Sequence, residues 1–147
     1  MRVYVDTSAF YAVLDADDQH HPQARDTWVT LLEEGASLFT SNYNLVETCA
    51  LLQHRLGLDA LRVFRGQVLP VLNVIWVDEE VDRAAWSALL TAGRRRLSLV
   101  DCVSFEVMRR AGIGTAFTLD PHFGEQGFTV VPAPKDSWAG EEPRRPG

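Results

Sequence analysis

Residues 1–14, MRVYVDTSAFYAVL, decide the architecture. Arg2 to Asp6 reads as a short strand ending on an acid, and Thr7-Ser8 offers hydroxyls to cap a helix running through Leu14. A strand that passes straight into a helix N-terminus is the opening of a strand-helix unit, and the pattern repeats downstream. Pro22 suits the first turn of a helix to about Glu34, which Gly35 stops. Ser37 to Ser41 reads as the next strand, and Asn42 caps a helix to about Arg55 that Gly57 ends. A helix from Asp59 to about Leu69 precedes the β-rich Asn73 to Val77, and another runs from Glu79 to Ala92 before Gly93. Ser98 opens a helix to Ala111, closed by Gly112; Thr115 to Leu119 and Phe128 to Val131 supply two last strands. The alternation predicts one α/β domain over residues 1–131, with a mainly parallel central sheet flanked by helices on both faces. Residues 132–147, rich in proline, glycine and charge, read as a flexible tail.

Composition agrees with a single core. At 147 residues, with 46% hydrophobic and 23% charged, the chain resembles an ordinary globular domain and is too short for two of normal size. Its longest uncharged stretches, Gly35 to Val46 and Gly66 to Val77, are twelve residues each, well below the roughly 20 a spanning helix needs. The N-terminus enters a strand with no basic region and apolar run ahead of it, so the expected location is the cytoplasm, away from membranes. Cys49 and Cys102 lie in apolar helical segments without zinc-type spacing and read as buried, reduced thiols. The net charge of −6 is unusual for a partner of nucleic acid, whose phosphates are normally met by surplus Lys and Arg, but acids that bind divalent cations reduce that objection.

Ligands of parallel sheets bind beyond the carboxyl ends of the strands, and the acids worth attention fall there. Asp6 ends the first strand, and Asp120 follows the strand at Thr115. Glu47 sits in the nearly apolar run Val46-Glu47-Thr48-Cys49-Ala50-Leu51-Leu52, where a carboxylate needs a cation or a hydrogen-bond donor. Asp101 lies in the first turn of its helix. Each has a structural reading alone: Ser98-x-x-Asp101 is a capping-box pattern, Asp120-Pro121 a turn initiator, Asp6 a helix cap, and Glu47 an arginine partner. Jointly they are more informative, since two carboxylates about 5 Å apart repel by roughly 3 kcal/mol at an effective dielectric near 20. A divalent cation reverses that sign, and oxygen-only donors favour Mg²⁺ or Mn²⁺ over zinc.

Four segments in order, Asp6-Thr7-Ser8, Glu47 within Thr40-Ser41-Asn42-Tyr43-Asn44-Leu45-Val46-Glu47-Thr48, Ser98-Leu99-Val100-Asp101-Cys102, and Thr118-Leu119-Asp120-Pro121-His122-Phe123, resemble the PIN domain. Their spacing is similar to the toxin nucleases of VapBC toxin-antitoxin pairs. The resemblance implies hydrolysis of RNA phosphodiesters by acids holding one or two Mg²⁺ or Mn²⁺ ions. It places Asp6, Glu47 and Asp101 on the main metal-binding acids, Asp120 on the more variable fourth, and Thr7, Ser8 and Thr118 on supporting hydroxyls. It also implies a cognate antitoxin protein and a homodimer. Water attacking phosphorus in line would leave 5′-phosphate and 3′-hydroxyl ends. A PIN-like module that binds RNA or protein without cutting is the alternative, and the presence of all four acids argues against it. A receiver or phosphatase of similar architecture would need a lysine near the acids, whereas the single lysine, Lys135, lies in the tail.

Arg94-Arg95-Arg96, with Arg109 and Arg110, offers positive charge for an RNA backbone; the bland reading is a solvated turn and a helix C-terminus. His122 is near enough to Asp120 to touch substrate, but a turn or packing role is the stronger reading; His20 and His21 read as solvated and His54 as a helix end. Trp28, Trp76 and Trp86 read as core or dimer contacts, and Trp138 as exposed in the tail.

Overall fold

The structure is a computed structural model describing residues 1–134, so Lys135, Trp138 and most of the expected tail lie outside the described residues. Five parallel strands, β1 (Arg2–Val5), β2 (Ser37–Ser41), β3 (Leu72–Ile75), β4 (Thr115–Phe117) and β5 (Thr129–Val131), form one sheet in the order β3-β2-β1-β4-β5. The chain builds outward from β1 on one side through β2 and β3, then returns to the other side for β4 and β5. The order therefore reverses between β1 and β4, and a crevice opens at their carboxyl ends, as such reversals dictate.

Alternation along β1 explains why the sheet is covered on both faces. Val3 and Val5 join a core with α1 (Thr7–Leu14), α2 (His21–Glu33), α3 (Asn42–Arg55) and the segment around Phe64. Tyr4, between them, points to the opposite core, where it meets α5 (Glu79–Ala92), α6 (Leu99–Ala111) and Phe123. Side chains of a strand alternate faces, so a central strand apolar at every position needs a helical layer on each side. Val3, Tyr4 and Val5 are all fully buried. The expected architecture holds.

Local expectations fare less evenly. Asp6, rather than Thr7-Ser8, caps α1, its carboxylate accepting from the Ser8 amide. Ser41, rather than Asn42, caps α3; Asn42 instead accepts the Val77 amide at 2.8 Å, tying the start of α3 to the end of β3. The helix expected over residues 59–69 divides into α4 (Leu58–Val63), a π-helical turn (Phe64–Val68) and a 3₁₀ turn (Leu69–Val71). Pro70 lacks the amide that regular helix requires, and Phe64 turns into the core against Phe10, ring centroids 5.3 Å apart. A short helix, α7 (His122–Glu125), appears where only a turn was expected. Gly93 and Gly112 close α5 and α6 in the left-handed conformation, φ 61° and 66°, which other residues rarely adopt. No helix of the described residues is long and apolar enough to cross a membrane.

Among the tryptophans, Trp28 packs on the first core, while Trp76, just past the end of β3, and Trp86, on α5, are exposed. Both cysteines are free, Cys102 buried and Cys49 half-buried. His21 departs from its expected solvated state, its Nδ1 lying 2.8 Å from the Ala12 carbonyl oxygen.

Candidate metal centre

Register alone places the first two site residues side by side. Val5 pairs with Phe117, and the Asp6 amide donates to the Phe117 carbonyl at 3.0 Å, so Asp6 and Thr118 leave adjacent strands together. Thr118 Oγ1 donates to Asp6 Oδ2 at 3.0 Å, and Ser8 Oγ donates to the same oxygen at 2.7 Å. Those hydroxyls also receive the next loop: the Leu119 amide donates to Ser8 Oγ and the Asp120 amide to Thr118 Oγ1, at 3.0 and 2.9 Å. Asp120 is thus fixed by the same hydroxyls that hold Asp6.

The other two acids arrive on helices. Asp101 is the third residue of α6 and completes a capping box: its amide donates to Ser98 Oγ, and its Oδ2 accepts the Ser98 amide, both at 3.0 Å. The capping reading of Asp101 holds, and the cap uses Oδ2 alone, so it does not consume the second oxygen. Glu47 lies on α3, half-buried, near enough to the Thr7 hydroxyl for it to favour the charged carboxylate. No arginine or lysine forms an ion pair with any of the four acids among the described residues. The alternative of Glu47 paired to an arginine is excluded within those residues.

Electrostatics record the crowding. Burial raises the Asp6 carboxyl to about 6; the Ser8 and Thr118 hydroxyls oppose the rise, and Asp101 and Asp120 add to it. Glu47 and Asp101 are likewise raised, chiefly by burial and then by their acidic neighbours. Asp101 and Asp120 act on Asp6 and Glu47, and Asp120 acts on Asp101, with no arginine or lysine paired to any of the four among the described residues. Oxygen donors and excess negative charge are the chemistry that a hard divalent ion satisfies.

A polar network beneath the site escaped the sequence reading. Asn44, fully buried on α3, donates from Nδ2 to Asp6 Oδ1 (3.3 Å) and Thr7 Oγ1 (3.1 Å). Its Oδ1 accepts from the Tyr4 hydroxyl at 2.5 Å and from Ser104 Oγ at 3.0 Å. Strand β1 and helices α3 and α6 meet in this one amide. The available signal was spacing: Asn44 stands three residues before Glu47, on the same helical face. His122 also enters the site, one ring nitrogen lying within 4.8 Å of carboxylate oxygens of both Asp101 and Asp120.

The basic residues are unequal. Arg94 pairs with Glu125 at 3.0 Å, Arg110 with Glu106 and Glu80, and Arg109 bonds Gln126 and lies over the Phe128 ring. Arg95 and Arg96 are exposed and make no ion pair among the described residues.

A parallel sheet with a carboxylate cluster at its topological reversal has the place and the chemistry for a divalent cation. The PIN domain profile matches residues 3–128. The 23S rRNA-specific endonuclease VapC20 of Mycobacterium tuberculosis is 34% identical over 130 residues, 88% of this chain and 97% of that protein. A VapC ribonuclease of Archaeoglobus fulgidus is 34% identical over 87 residues, 58% of this chain and 55% of its own. The crystal structure of VapC20, a sarcin-ricin loop cleaving toxin, superposes with a TM-score of 0.78, covering 86% of this chain and 96% of that one. FitAcB from Neisseria gonorrhoeae, 16% identical, shares the fold with a TM-score of 0.66 over 88% of this chain and 96% of that chain. The chain belongs to the PIN domain family, and it is an enzyme, a nuclease resembling the VapC ribonucleases.

Proposed function

We propose that the protein is a Mg²⁺- or Mn²⁺-dependent endoribonuclease that hydrolyses RNA phosphodiester bonds, the toxin of a VapBC-type pair. The observation that carries this is the set of acids Asp6, Glu47, Asp101 and Asp120, linked by the electrostatic influence of Asp101 and Asp120 on the others, with no arginine or lysine paired to them among the described residues. Those four acids are the proposed cation ligands. Thr7, Ser8 and Thr118 hold them, and residues 1–131 are the nuclease domain. A bound divalent ion supplies Lewis acidity toward a phosphate oxygen and a water acidified for attack.

The chain's own groups do the positioning. Ser8 and Thr118 pin one oxygen of Asp6 and Asn44 approaches the other, so the carboxylate keeps a fixed orientation in the crevice. The capping box holds Asp101 to the start of α6. Arg95 and Arg96, with Arg94 freed from Glu125, are proposed contacts for the RNA backbone. A cognate antitoxin covering the crevice, a homodimer and a cytoplasmic setting complete the reading, supported by the likeness to VapC20.

The test is incubation of the purified protein with a mixed RNA pool, with and without millimolar Mg²⁺ or Mn²⁺, beside Asp6→Asn, followed by mapping of fragment ends. Metal-dependent cleavage that leaves 5′-phosphates and vanishes in the variant is the expected result. A 2′,3′-cyclic phosphate product would overturn the in-line hydrolysis. RNA binding without cleavage of any pool, ribosomal RNA included, would make the domain a binding module.

A further inference from the structure

We infer that His122 supplies a nitrogen ligand to the cation shared by Asp101 and Asp120, so that the centre is a mixed carboxylate-imidazole site that selects Mn²⁺ over Mg²⁺. The inference rests on the cation reading above and adds a residue to it. One oxygen of Asp101, one of Asp120 and one ring nitrogen of His122 lie within 4.8 Å of one another. His122 Nδ1 is buried and has no hydrogen-bond partner among the described residues. Asp120 Oδ1 stands only 2.8 Å from it, yet the approach is too oblique for a hydrogen bond, and that oxygen already accepts the His122 amide at 2.9 Å.

A buried imidazole nitrogen this close to a carboxylate oxygen is favourable only if the ring carries a proton there or a cation lies beside the pair. The arrangement is also held in place. Pro121, at φ −64°, sets the chain direction between Asp120 and α7, and the neighbouring Phe123 is fully buried against Phe105. The backbone of His122 is therefore fixed beside the crevice. Imidazole is a softer donor than carboxylate, and it favours Mn²⁺ relative to Mg²⁺, which keeps to oxygen.

Pulsed electron paramagnetic resonance of Mn²⁺ bound to the full chain tests this without reference to cleavage. Expected is coupling from a directly bound imidazole ¹⁴N that changes character in protein carrying ¹⁵N-histidine and disappears in His122→Gln. Titration by calorimetry should show Mn²⁺ affinity falling about tenfold or more in that variant. Mg²⁺ affinity should change about threefold or less. The isotope substitution needs no mutation, so it stands even if His122→Gln folds poorly. Mn²⁺ bound with no nitrogen coupling overturns the role of His122 and leaves the cation reading intact. Failure of the unaltered protein to bind Mn²⁺ at millimolar concentration overturns both.

Discussion

Asp6 is the most constrained carboxylate among the described residues, 4% exposed, with Ser8 and Thr118 on one oxygen and Asn44 on the other. Its carboxyl is raised to about 6, so ionisation is easier in the unfolded chain, and the associated stability is present at low pH and declines as pH rises through about 6. For a shift of this size the effect is on the order of 3 kcal/mol. Cation-free protein is expected to melt higher near pH 5 than near pH 7.5, and Asp6→Asn should flatten that difference in a calorimetric pH series. Asn44→Leu keeps the volume but leaves the Tyr4 hydroxyl, Thr7 and Asp6 short of a partner, so urea denaturation should show a loss of about 3 kcal/mol. Asp6 was legible at a strand end; Asn44 was not, because an asparagine near a helix start gives no sign of which side chains other elements will bring to it.

Helix α6 joins capping and site chemistry in one turn. Ser98→Ala removes the hydroxyl that accepts the Asp101 amide and should cost about 1 kcal/mol. Asp101 would then lose the geometry that holds its carboxylate against the crevice, so cation affinity measured by titration should fall while the melting temperature drops only slightly. The cap itself was readable from Ser98-x-x-Asp101, since both partners lie within one turn. The segment after Gly57 was misread for the opposite reason. Its apolar residues suit a continuous helix, but Pro70 and the inward turn of Phe64 break it into three short pieces, and the need to bury Phe64 is a tertiary demand. Likewise α7 is too short to show a helical period, and what fixes it is Phe123 in the second core.

Over the whole molecule the net charge of −6 is partly concentrated where four elements converge. Mg²⁺ or Mn²⁺ at a hundredfold excess over its Kd should therefore raise the melting temperature by about 5–10 °C. Asp101→Asn should reduce that gain, and by relieving repulsion it should also make the cation-free protein melt higher than the unaltered one; differential scanning calorimetry with and without chelator checks both.

The alternation of strand and helix signals, the apolar Val3-Tyr4-Val5 of β1 and the acids at strand ends and helix starts were enough to indicate the fold class, the two-faced sheet and the four candidate acids, because each depends on periodicity or on residues close in sequence. Tertiary structure alone decided the rest. It paired Asp6 with Thr118 across the β1–β4 register, passed Tyr4 through Asn44 to Ser104, consumed Arg109 and Arg110 in local contacts, and brought His122 beside Asp101. Contacts between residues far apart in the chain are set by how the two cores close around the sheet, and local sequence carries no direct record of that closure.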